Sequence, residues 1–122
     1  MFKEVKIGGI TVPMLANGAT PVRYKLLFKK DIISEFQEAQ GNNAKMVDTI
    51  PELAFIMAKQ AEASEGKADL SRLSMDDYIA WLERFDSMDL PFAAEDIVNL
   101  YVGNNETSSE PKKKVKREVK ES

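Results

Sequence analysis

The stretch that most constrains this chain is Leu53–Ala58, six consecutive apolar residues within Ile50–Ala63, IPELAFIMAKQAEA. Ala, Leu, Met, Lys, Gln and Glu dominate the segment, and all are good helix formers. Pro51 suits a first helical turn, where its missing N–H is not needed, and Asp48 or Thr49 can cap it. At about 100° per residue, Ile50, Leu53, Met57 and Ala61 share one face, flanked by Ala54 and Ile56. Phe55 falls roughly opposite Leu53. A helix that is apolar nearly all round is buried on several sides. The expectation is a small bundle with this helix in its middle. Phe55 then has two readings. It lies under a neighbouring element, which a short chain favours, or it faces a partner or second subunit.

The flanking segments supply material to cover such a helix. Phe2–Leu15 reads as a β-hairpin, with Phe2, Val5, Ile7, Ile10, Val12 and Leu15 as its apolar residues. Gly8-Gly9 marks its tight turn, and Pro13 confines its strand to an edge. An isolated hairpin is marginal in water, so this one must pack on the helices, and it could pair with a second subunit. Thr20-Pro21 is a helix start, cap then proline. Tyr24, Phe28, Ile32 and Phe36 recur every fourth residue as one stripe. Leu26 and Ile33 fall away from it. Either both sides are covered, or the helix breaks near Lys29-Lys30 and restarts with Asp31 as cap. Gln40–Asn43 closes this segment.

Beyond a Ser64–Lys67 loop, Ser74 caps the next helix, with Asp76 and Asp77 in its first turn. Its apolar arc is Met75, Tyr78, Ile79, Trp81, Leu82 and Phe85. Trp81 sits at the arc's edge, with an indole N–H that needs a partner. Asp89-Leu90-Pro91 starts a last helix, with Phe92, Ile97, Leu100 and Tyr101 on its buried side and Gly103 as its stop. The fold class is therefore mainly α: a bundle of four to five helices with an N-terminal hairpin, residues 1–102, and a disordered charged tail, residues 103–122. The tail has two isolated valines and no aromatic residue, too little to offset ordering entropy.

Composition narrows the function. The chain has no cysteine, hence no disulfide framework or thiolate metal site, which fits a reducing cytoplasm. It has no histidine, the commonest general base and metal ligand. Asp76, Asp77, Glu83, Asp86 and Asp89 lack the alternation of a calcium loop, and capping and solubility explain them. No phosphate loop or nucleophile motif is present, so neither an enzyme nor a cofactor is expected. No apolar run approaches the roughly 18 residues of a membrane span, and MFKEVKIGG lacks a signal-peptide core. Residues 1–102 carry 11 basic and 16 acidic side chains, a net −5, which argues against a nucleic-acid footprint. Residues 103–122 carry 6 basic and 4 acidic, a net +2. Their Pro111–Arg117 run reads first as a solvated tail, and less well as a nuclear-import signal or an electrostatic arm.

Taken in order, the chain resembles the small tail assembly chaperones of siphophages of low-GC Gram-positive bacteria. The resemblance is carried by Asn17-Gly18-Ala19-Thr20-Pro21 leading to Tyr24, Phe28 and Asp31-Ile32-Ile33, and by the run Ile50–Ala58. Tyr78-Ile79-Ala80-Trp81-Leu82 followed by Ile97, Leu100 and Tyr101 adds to it, as does the tail with its lysine run. Where some relatives have glycine after the Phe28 position, Lys29 stands here. The resemblance implies a binding function. Such chaperones coat the long helical tape measure protein in the host bacterial cytoplasm, keep its apolar stripe from aggregating, help recruit tail tube subunits, and are absent from the mature virion. A longer form made by −1 frameshifting is common among them, and Lys112–Lys114 lies where the slip would fall. Catalytic residues are not part of the resemblance.

The expected partners are thus a tape measure protein, tail tube protein through the longer form, and further copies of the chain as a homo-oligomer. The partner-binding or self-association candidates are Phe55, Met57, Trp81 and Phe92. Methionines such as Met46, Met57, Met75 and Met88 adapt to varied surfaces, though their helical spacing also suits a core. Phe55→Asp is expected to leave the monomer folded but abolish partner binding or self-association, whereas loss of the helical far-UV circular dichroism would place Phe55 in the core. The reading from a different class is a small regulatory adaptor or anti-repressor bound to a host protein.

Overall fold

A computed structural model describes residues 1–39 and 43–109. It is mainly helical, with six α-helices among the described residues and an N-terminal antiparallel hairpin. Of the expected tail, residues 103–122, residues 103–109 instead stand at the end of the last helix, and the rest, with the lysine run, lies outside the described residues, as do residues 40–42 of the Gln40–Asn43 boundary.

Strands β1 (Phe2–Ile7) and β2 (Ile10–Leu15) pair from Phe2 opposite Leu15 to Ile7 opposite Ile10. This register points Val5, Ile7, Val12 and Met14 into the core and leaves Phe2 exposed. Gly8 turns the chain at φ +64°, in the left-handed region that glycine enters without penalty. A β-carbon there would also lie 2.5 Å from a carboxylate oxygen of Asp89.

Helices α1 (Thr20–Phe28) and α2 (Ile32–Ala39) are separate, so the single stripe of apolar residues is broken. Lys29 makes the break at φ 61°, in the conformation where glycine is favoured, with its N–H donating to the Lys25 carbonyl. Asp31 restarts the chain by accepting from the Ile33 N–H at 2.9 Å. Leu26 and Ile33 stay exposed. Ala19, not Thr20, is the N-cap of α1. Thr20 is fully buried and its Oγ1 instead accepts from the Asn17 N–H and from Gln60 Nε2.

The central helix α3 is longer than its sequence signals suggest, Asn43–Ser64, with Pro51 in its interior. Neither Asp48 nor Thr49 caps it. Thr49 is buried in mid-helix and donates to the Lys45 carbonyl at 3.0 Å. Pro51 removes only the hydrogen bond that the Val47 carbonyl would accept, and tertiary packing overrides that loss. All of Leu53–Ala58 is buried.

Ser74 and Asp77 form a capping box at the start of α4 (Met75–Leu82). The buried arc of α4 is narrower than expected: Tyr78 and Trp81 are buried, whereas Met75 and Ile79 are exposed. The last expected helix is two, α5 (Asp89–Phe92) and α6 (Ala94–Ser109). Helix α6 continues through Gly103, because one glycine costs a helix only about 1 kcal/mol. Ile97, Leu100 and Tyr101 are buried as expected, but Phe92 is 80% exposed.

Gly8→Ala is expected to destabilise the chain by roughly 1–3 kcal/mol, from the left-handed backbone alone. Urea unfolding of the variant checks this, with Gly9→Ala, which meets no neighbouring atom, as the milder control.

Candidate protein-docking groove

Glu52 of α3 anchors one end of a groove by joining two elements. Its carboxylate accepts the Tyr24 hydroxyl at 2.6 Å and the Lys30 ammonium at 3.0 Å. Lys30 and Lys45 both reach the nearly buried Glu35, at 3.8 and 3.2 Å, and Lys45 also meets Glu38. This charge chain holds the α1–α2 corner against α3.

From there the groove, about 490 Å³ in volume, runs between α3 and the segment linking α4 to α5. Val47 and Pro51 line it from α3, and Phe85, Leu90 and Pro91 from the other side. A hollow of about 210 Å³ shares Val47, Pro51 and Pro91 and adds Met46, Ile50 and Ala94. The volume is ordinary for a binding cleft, and the lining is mostly apolar. Of the apolar side chains that line it, Val47 faces water most, at 54% exposed. Four charged residues line the larger groove, namely Lys30, Asp48, Glu52 and Asp86. Lys30 and Glu52 neutralise each other, whereas Asp48 and Asp86 have no ion-pair partner among the described residues.

None of the four candidate contact residues lines this groove, and three of them are buried. Phe55 and Met57 are fully buried and Trp81 is 3% exposed. Phe55 packs on Tyr78 and Trp81 at ring-centre distances of 5.3 and 5.6 Å, and Trp81 packs on Phe85 at 5.0 Å. The face opposite Leu53 is thus covered by α4, and no partner can touch Phe55 in the folded chain. The Trp81 indole N–H has no protein acceptor among the described residues. Phe92 is the one candidate that the fold leaves exposed. The sequence reading missed Val47, because the helix start was placed after it, and gave Phe85 wholly to the core, where it is half-buried.

No group of three or more acidic side chains among the described residues is arranged to hold a metal. No described helix is long and apolar enough to cross a membrane. No protein-family model, curated protein or solved structure matches the chain.

Two consequences can be measured. Phe55→Asp would place a carboxylate among Tyr78, Trp81 and the α3 core, so the variant is expected to lose its helical far-UV circular dichroism. Burial raises the pKa of the Tyr24 phenol above its usual value, and the bond to Glu52 adds to the shift. Burial also raises that of Tyr78, helped by nearby Glu52 and Asp48. Both shifts are upward, so their stabilisation is complete below the unfolded value of about 10 and is lost as pH rises above it. Urea midpoints should fall steeply above about pH 10, and Tyr24→Phe should flatten that fall.

Proposed function

We propose that this protein is a phage tail assembly chaperone that binds an apolar stripe of the tape measure protein. The observation that supports this reading best is the mostly apolar groove between α3 and α5, with Val47 exposed on its α3 side. Large apolar side chains in a concave surface mark interaction sites. A groove between helices suits an amphipathic helix laid into it. Shielding a long chain needs many modest contacts of this kind, repeated along its length, rather than one tight pocket.

In this role several copies coat one tape measure chain in the host bacterial cytoplasm and leave before the virion is mature. A longer product arising by −1 frameshifting near Lys112–Lys114 would bring tail tube subunits to the coated chain.

Co-expression with a tape measure protein from the same genome tests the reading. The two proteins should co-purify, and Val47→Asp, at an exposed lining position, should reduce recovery about tenfold, a loss of about 1.4 kcal/mol, with unchanged circular dichroism. Failure to co-purify, or equal recovery with the variant, would count against the groove as the contact surface.

A further inference from the structure

Resting on that reading, we propose that the segment held in the groove is an aliphatic stripe flanked by lysine or arginine, whose cations pair with Asp48 and Asp86. The groove supplies the two halves of this recognition separately. Val47, Pro51 and Pro91 offer apolar contact, without charge selectivity. The charge selectivity comes from the rim. Lys30 is the one cation lining the groove among the described residues, and it is bound to Glu52 at 3.0 Å. Asp48 on α3 and Asp86 beyond α4 therefore remain as two uncompensated carboxylates, brought from opposite sides of the groove.

An acid-flanked stripe would set carboxylates against these carboxylates, while a base-flanked one meets complementary charge. The aliphatic stems of lysine and arginine extend the apolar contact while their heads reach the rim. The net −5 of residues 1–102 adds a field that attracts a basic partner and repels an acidic one.

The test uses the full chain and two synthetic helices of about 18 residues, long enough to be helical. Both carry the same leucine stripe, one flanked by lysine and the other by glutamate. Fluorescence anisotropy should show the lysine helix binding at least about tenfold more tightly at low salt, with the ratio narrowing as salt screens the rim. Asp48→Lys with Asp86→Lys should invert the preference. Glu4→Lys with Asp76→Lys makes the same charge change at exposed sites off the groove and should leave it intact.

Inversion by the off-groove pair as well would overturn the proposal in favour of net charge. Equal binding of both helices, lost in Val47→Asp, would refute the charge inference and leave the groove as a helix site. If neither helix binds, both readings fall. Self-association of the chain, seen by sedimentation and abolished by the Asp48 and Asp86 reversals, would give the groove to a second copy and also overturn it.

Discussion

Burial of the Leu53–Ala58 run of α3 on every side of the helix is the interaction on which the other elements depend. Helices α1, α2, α4, α5 and α6 and strand β2 all contact it. Few of them could stand without it. Helix α1 has nine residues and α4 eight, below the length at which an isolated helix holds in water. The two-stranded sheet is likewise marginal by itself. Each fully buried Leu, Ile, Phe or Met side chain contributes about 1.5–3 kcal/mol, so the Leu53–Met57 run alone is worth several. The cooperativity of the fold follows: every peripheral element draws its stability from the same helix.

Polar groups decide how the elements sit on that helix. Gln60, 4% exposed, donates from one nitrogen to the Leu15 carbonyl at 2.7 Å and to Thr20 Oγ1 at 2.9 Å. It thereby fixes the exit of the hairpin and the entry of α1 to a single turn of α3. Glu52, two turns earlier, does the same for Tyr24 and Lys30. Apolar packing tolerates sliding, whereas hydrogen bonds at such distances do not. Because Glu52 and Lys30 also line the groove, the fixings that orient α1 shape the groove's charged end.

Local chemistry made much of this fold legible in the sequence. The Gly8-Gly9 turn, the Asp31 restart and the Ser74 cap each rest on a few adjacent residues, and each stands where those residues place it. Features governed by distant contacts were harder to read. Pro51 has the chemistry of a helix start, yet packing carries the helix two turns further back. Gly103 has the chemistry of a stop, yet α6 continues. Met75 and Ile79 share an arc with Tyr78, but no described residue covers that side of α4. The groove was least legible, because Val47 and Pro51 meet Phe85–Pro91 only after folding has brought together positions some forty residues apart. Of the four contact candidates, three were apolar because they are core.

The packing around Trp81 has an optical consequence. It is the chain's one tryptophan, shielded from water, with its ring edge-on to Phe55 and Phe85. An indole in such surroundings emits at short wavelength, and its emission shifts when neighbouring rings or dipoles move. Phe85 lies between this indole and the groove, touching one and lining the other. The protein therefore carries its own lamp one side chain away from the groove. Whatever settles against Phe85 changes the light the protein emits, with no dye attached.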